Sequence, residues 1–259
     1  QFSKTDHQMM ARAIQLAKRG QYTTAPNPNV GCVICNSQGV IVGEGWHKKV
    51  GTPHAEVHAL QQAGNNTKGA TAYVTLEPCS HYGRTPPCAD SLIAAGVTRV
   101  VAAMVDPNPL VSGNGLKKLQ QAGIKTEQGL LQAASEQLNR GFIKRMRTGK
   151  PWVTVKLAAS LDGKTALGNG LSQWITGPLA RQDVQRHRAR SCAILSGSGT
   201  VIADNPVLNV RYSELNLAEN VLSQQDLRQP LRILLDGRNQ LPPSLTCLQP
   251  FEYNLAGKV

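Results

Sequence analysis

Residues 71–95 read TAYVTLEPCSHYGRTPPCADSLIAA. Thr71 to Leu76 is a short apolar run that predicts a strand, and it leads directly into Glu77-Pro78-Cys79, where proline punctuates the end of the ladder. After a polar loop rich in glycine and proline, Pro87 to Ala95 predicts a helix, with proline near its start and Gly96 just past its end. Strand, loop and helix in that order begin an α/β unit. Two cysteines, Cys79 and Cys88, stand at the two ends of the loop.

The alternation continues on both sides. Upstream, Asp6 to Arg19 predicts a helix that Thr5 or Asp6 can cap, with Met10, Ala13, Ile14 and Ala17 on its apolar face and Gly20 at its end. Val30 to Cys35 and Val40 to Trp46 predict strands joined by the hairpin signal Asn36-Ser37-Gln38-Gly39, and His54 to Ala63 predicts a short helix. Downstream, Arg99 to Val105 predicts a strand, Leu116 to Ala122 a helix, and Leu130 to Arg147 one amphipathic helix. The pattern is that of an α/β sandwich with a largely parallel sheet. Thr148-Gly149-Lys150-Pro151 interrupts it. The alternation then restarts with strand Trp152 to Ala158, helix Pro178 to Arg190 and strands Cys192 to Ser196 and Leu231 to Asp236. Two domains are expected, 1–147 and 148–259.

The 259 residues carry a formal net charge of +12, which favours anionic ligands such as nucleic acid, phosphorylated metabolites or a phosphorylated cofactor. The locally dense basic runs, Lys144 to Lys150 and Arg181 to Arg190, read as solvated helix faces or ends. No stretch approaches the roughly 18–20 apolar residues of a membrane span, and Gln1 to Gly20 does not read as a signal peptide. Six cysteines are too sparse for a disulfide scaffold, so cytosolic thiols and metal ligation are expected and the protein is placed in the cytoplasm.

His54-Ala55-Glu56, then Pro78-Cys79, then Cys88 follow the ligand logic of zinc deaminases: one His and two Cys hold the metal, water takes the fourth position, and the Glu two residues after the His moves protons without ligating. Zinc makes water nucleophilic near neutral pH, and a carboxylate must shuttle protons to the ring nitrogen and the leaving amine. His58, four residues after His54 on the same helical face, is a competing ligand, though it would break the deaminase register. Cys32 and Cys35 form a C-x-x-C, but three residues apart on a strand their thiols point to opposite faces, so they are not a ligand couple.

Where the zinc deaminase signature has two residues between its cysteines, this chain has eight. With that loop, Pro26-Asn27-Pro28-Asn29-Val30-Gly31-Cys32, Gly51-Thr52-Pro53-His54-Ala55-Glu56-Val57 and the run from Thr75 to Cys88 resemble the bifunctional deaminase–reductases of riboflavin biosynthesis. The resemblance implies a cytidine-deaminase-like three-layer α/β/α domain. It would act on 2,5-diamino-6-(5-phosphoribosylamino)pyrimidin-4-one, replacing the ring 2-amino group with oxygen and releasing ammonia. It also implies that Asn27, His81, Arg84 and Asn108 contact the substrate. For Arg84 there is an independent reason, since guanidinium groups bind phosphate bidentately.

In the second half, Val153-Thr154-Val155-Lys156-Leu157, Ser172-Gln173-Trp174-Ile175-Thr176, Gly197-Ser198-Gly199-Thr200 and Asp204-Asn205-Pro206 resemble the reductase half of the same family. A Gly-Ser-Gly-Thr turn after a strand can offer backbone N–H groups to a phosphate, but alone it is a weak signal, and no G-x-G-x-x-G is present. The resemblance implies a dihydrofolate-reductase-like α/β domain that reduces the ribosyl group to ribityl with NADPH. Ala158, Trp174, Thr200, Asp204 and Gly237 would contact the cofactor; Ser172, Arg188, Leu208 and Arg211 would hold the phosphorylated substrate. Lys156 and Asp204 would relay protons at the carbonyl, the hydride coming from NADPH. Nothing after Gly237 resembles the family's glycine-containing cofactor segment, so the reductase half reads as incomplete. The resemblance further implies one zinc per chain, a homodimer or homotetramer, and no nucleic-acid or membrane partner. Two other readings stand beside it. A tRNA adenosine or free-nucleoside deaminase would share the zinc site, and the charge suits a nucleic-acid substrate, but not the long loop or second domain. A purely structural zinc would normally have four protein ligands, and only three are evident.

Overall fold

The structure, a computed structural model, describes residues 1–82, 86–109 and 111–250. The chain divides into two compact units, Gln1–Val155 and Lys156–Val259.

The first unit is built on a five-stranded sheet of β1 (Gly31–Cys35), β2 (Ile41–Trp46), β3 (Thr71–Val74), β4 (Arg99–Ala102) and β5 (Lys125–Gln128), in the order β2-β1-β3-β4-β5. The sheet is mixed rather than largely parallel. β1 runs antiparallel to both β2 and β3, and only the β3–β4 and β4–β5 pairings are parallel. The hairpin at residues 36–39 forces the first reversal, and the helical crossovers further along permit parallel pairing.

Strand alternation sorts the core into two faces. Val33, Cys35, Tyr73, Val101 and Ala103 meet α1 (Lys4–Ala17) through Met10, Ala13, Ile14 and Leu16. Cys32, Ile34, Ala72, Val74, Val100 and Ala102 meet α2 (Ala55–Ala63), α3 (Cys88–Ala94) and α4 (Asn114–Gln121) through Ala55, Ala59, Ala89, Leu92, Leu116 and Leu119. This is the three-layer α/β/α arrangement, with Cys32 and Cys35 on opposite faces. On the α2 side the approach is close: a Cβ at Gly45 would stand 2.3 Å from the Ala55 carbonyl oxygen, so only glycine lets the first turn of α2 lie on β2.

Several expectations are corrected. The cap of α1 is Ser3, not Thr5 or Asp6; its hydroxyl accepts from the Asp6 N–H (3.1 Å), while the Ser3 N–H donates to the Asp6 carboxylate (2.7 Å), a reciprocal capping box. The helix expected over 130–147 is two, α5 (Gln132–Leu138) and α6 (Arg140–Thr148), broken at Asn139. There the side-chain amide makes a two-way bond with the backbone of Asn29, accepting its N–H at 2.7 Å and donating to its carbonyl at 2.9 Å. The chain at 152–158 is irregular instead of a strand. The Trp152 ring lies 4.9 Å from the Arg140 guanidinium and 5.6 Å from the Lys144 ammonium on α6, which attaches this segment to the first unit.

The second unit contains α7 (Pro178–Arg190), β6 (Ala193–Gly197), α8 (Ser198–Asp204) and β7 (Leu231–Leu235). β6 and β7 pair in parallel. Ile194 and Leu234 face a small core of Val201, Leu208, Leu245 and Cys247. Ser198-Gly199-Thr200 is the first turn of α8, not a free turn. No described helix is long and apolar enough to cross a membrane.

Candidate active site

Among the described residues one group of side chains is disposed to hold a metal ion: His54, Cys79 and Cys88, whose ligand atoms all lie within 4.8 Å of one another. His54 is the N-cap of α2, Cys88 opens α3, and Cys79 follows the end of β3. Their placement is thus a property of three element ends, one of them that of the central strand β3. His54 Nδ1 lies 3.3 Å from Cys88 Sγ and 3.6 Å from Cys79 Sγ. Tetrahedral zinc with Zn–S of ~2.3 Å and Zn–N of ~2.0–2.1 Å requires N···S edges of about 3.6 Å. The donor set therefore fits zinc, with one corner left for water or substrate. His58, one helical turn beyond His54, is outside the cluster.

Glu56, the second residue of α2, is 3% exposed. Burial pushes its carboxyl up to about 6, against the lowering influence of His54. Cys79 is lowered to about 4, chiefly by a hydrogen bond from Cys88; the His54 ring and the Cys88 backbone N–H (3.3 Å) add to this. The Cys88 thiol is pushed far up by the same hydrogen bond and by burial. Zinc ligation needs both sulfurs as thiolates, so metal binding at this cluster releases protons.

Two buried polar residues beside the cluster escaped the sequence reading. His47 is 4% exposed, stacks edge-to-face on His54 with ring centroids 5.7 Å apart, and its Nδ1 is 3.2 Å from the Pro53 carbonyl. Burial lowers its pKa and favours the neutral ring. Glu77, 3% exposed, accepts four backbone N–H groups: those of Asp106 (3.0 Å) and Gly113 (2.9 Å) on Oε2, and those of Gly115 (2.8 Å) and Leu116 (3.3 Å) on Oε1. The partners of Glu77 lie 29 to 39 residues away, and the ring contact of His47 forms only when the end of β2 meets the start of α2. The Glu-Pro-Cys adjacency is the one available hint for Glu77.

The other residues expected in the first unit are scattered at its rim. Asn27 and His81 are exposed, Asn108 is half-buried with its N–H donating to the Asp106 carboxylate (2.8 Å), and Arg84 lies outside the described residues. In the second unit, Lys156, Ser172 and Trp174 are exposed on irregular chain, and Ala158 is half-buried there. Thr200 and Asp204 stand one turn apart on α8, both exposed, and Gly237 follows β7, also exposed. Leu208 is buried with a φ of 52°. Arg188 and Arg211 are brought together. Arg188 donates to the Asn209 carbonyl (2.9 Å), the Arg211 N–H donates to buried Gln185 (3.1 Å), and the pKa of Arg188 is lowered by burial and by the Arg211 charge. A pair of neighbouring guanidinium groups suits a phosphate.

An α/β/α layer with a His–Cys–Cys cluster and a buried glutamate beyond its central strand defines a zinc-binding domain of the cytidine-deaminase class, joined to a second α/β unit. Residues 3–104 match the family described as the cytidine and deoxycytidylate deaminase zinc-binding region, and residues 151–252 match the RibD C-terminal domain. The chain is 63% identical over 239 residues to the riboflavin biosynthesis protein RibD of Escherichia coli, covering 92% of this chain and 65% of that protein. It is 58% identical to RibD of Haemophilus influenzae, covering 94% and 66%. The solved structure of Acinetobacter baumannii RibD superposes with a TM-score of 0.88 at 54% identity, covering 95% of this chain and 67% of that one. A deaminase/reductase from Thermotoga maritima gives 0.79 at 42%, covering 90% and 63%. The chain belongs to the RibD family of bifunctional riboflavin-biosynthesis deaminase–reductases. It spans about two thirds of the length of the curated relatives it matches (65% and 66%).

Proposed function

We propose that the first unit hydrolytically deaminates the phosphoribosylaminopyrimidine, and that the second takes part in the NADPH-dependent reduction of its ribosyl group to ribityl phosphate. The deaminase half extends over 1–147 and the reductase half over 148–259. The observation that carries the reading is the His54–Cys79–Cys88 cluster with Glu56 buried beside it. His54, Cys79 and Cys88 would hold a zinc ion, which would make water nucleophilic near neutral pH. Glu56 takes the two protons of the attacking water in turn, passing the first to the ring nitrogen and the second to the leaving amine. The carbon–oxygen bond forms, the exocyclic carbon–nitrogen bond breaks, and ammonia departs. A carboxyl raised to about 6 suits both halves of that shuttle at neutral pH. Asn27, His81, Arg84 and Asn108 orient the base and its phosphoribosyl group.

In the second unit, Ala158, Trp174, Thr200, Asp204 and Gly237 hold NADPH, which supplies the hydride. The donor set suits a nucleotide: an exposed indole face on Trp174 over the Arg181 guanidinium (4.4 Å), a hydroxyl on Thr200 and the carboxylate of Asp204. Lys156 and Asp204 relay protons; Ser172, Leu208 and the Arg188–Arg211 pair hold the phosphorylated chain. The enzyme is a cytoplasmic homo-oligomer with a small-molecule substrate rather than a nucleic acid; the free state of all six cysteines agrees with the compartment.

Ammonia release from the pyrimidine phosphate, compared with release from cytidine and from tRNA, tests the deaminase reading. Glu56→Gln should lower the rate by about 10²–10⁴-fold while leaving one zinc per chain. Equal rates in wild type and variant would remove Glu56 from the reaction.

A further inference from the structure

We propose that Glu77 is a positioning residue of the deaminase site: its carboxylate staples the segment 106–116 to the strand end that bears Cys79, and so fixes Asp106 and Asn108 before substrate arrives. The proposal rests on the deaminase reading above, in which Asn108 meets the substrate.

A carboxylate at 3% exposure is costly unless its oxygens are fully satisfied. Here they are satisfied by backbone N–H groups, in a particular pattern. Oε2 takes the N–H of Asp106, where the segment leaves β4, and that of Gly113, where it enters α4; Oε1 takes Gly115 and Leu116 in the first turn of that helix. One side chain therefore closes both ends of the 106–113 segment. The Asp106 carboxylate in turn accepts the Asn108 N–H at 2.8 Å, which extends the constraint to Asn108. Two further contacts press the same parts together. The Glu77 N–H donates to the Met104 carbonyl at 3.0 Å, and a Cβ at Gly115 would stand 1.9 Å from the Pro78 carbonyl oxygen. Cys79 Sγ has its own anchor in the Cys88 N–H. Loss of the staple should therefore weaken substrate binding more than metal binding, since an ordering cost now met within the free protein would fall on the binding step.

Glu77→Gln keeps the shape but turns one acceptor oxygen into an NH2 group that faces N–H donors. In the zinc-loaded full chain, the expected result is a KM for the pyrimidine phosphate raised about 10- to 100-fold, with kcat changed less than KM. Zinc content should stay at one per chain, and the cobalt-substituted protein should keep its thiolate charge-transfer spectrum. An unchanged KM, or zinc lost in step with activity, overturns the proposal. Should the variant fail to fold, amide hydrogen exchange on the ligand-free wild type decides. Slow exchange at Asp106, Gly113, Gly115 and Leu116 supports the staple; exchange as fast as open loop overturns it. That measurement uses no substrate, so it separates a failure of the staple from a failure of the deaminase reading, which an inactive wild type would signal.

Discussion

Asp6 and Glu56 are both buried carboxyls in the first unit, and their surroundings drive them in opposite directions. Burial is the largest influence on Glu56 and raises it, against the lowering charge of His54. Asp6 accepts from Arg99 (2.6 Å) and from the Tyr73 hydroxyl (2.7 Å), and the Arg99 hydrogen bond, its largest influence, holds it well below the ordinary carboxylate value. Because the folded-state pKa is the depressed one, this ion pair stabilises fully above pH 3.8, the ordinary value, and its contribution is lost as pH falls below that. Asp6→Asn should cost about 1–3 kcal/mol at neutral pH, less than a fully buried pair because Arg99 is partly open to water. Its acid unfolding curve should also be flatter than that of wild type below pH 3.8, the ordinary carboxyl value, which urea titrations between about pH 5 and about pH 2 would check. At this scale the ligands were legible in the sequence because each sits in a short local signature, His-x-Glu or Pro-Cys. Glu77 and His47 were not, because what they touch is fixed only when separate elements meet.

Elements were legible where an apolar period announced them. The run Pro178–Arg190 is a helix with the bounds its sequence suggests. β5 was missed: Lys-Thr-Glu-Gln has no apolar signal, and it pairs only with β4, at the sheet edge where polar residues are tolerated. The reverse error occurred at 152–158. Val153, Val155 and Leu157 alternate like a strand, yet they are 68–80% exposed and have no ladder partner among the described residues, and a strand exists only as part of a pair. The break between α5 and α6 was invisible because periodicity cannot see Asn139 reaching Asn29. Asn139→Ala would leave the half-buried N–H and carbonyl of Asn29 without that partner and should destabilise by about 1–2 kcal/mol. A lowered melting temperature with zinc still bound is the expected result.

For the whole molecule, the +12 charge would act at long range on the proposed phosphorylated substrate. Raising ionic strength from 0.1 M to 1 M shortens the screening length from about 10 Å to about 3 Å. The KM for the pyrimidine phosphate should therefore rise with salt, while kcat holds; a salt-independent KM would assign recognition to close contacts alone. The burial of the cysteines has a consequence for the bench. Cys192 is exposed; Cys79 and Cys88 belong to the metal cluster; Cys32, Cys35 and Cys247 are buried in apolar packing. A thiol-reactive dye should therefore count the sulfurs in three instalments: Cys192 at once, Cys79 when a chelator strips the metal, and the remaining four only in denaturant. The second instalment is a colorimetric assay of metal occupancy that needs neither substrate nor spectroscopically active ion, and it reports the state of the deaminase site while the rest of the fold stays intact.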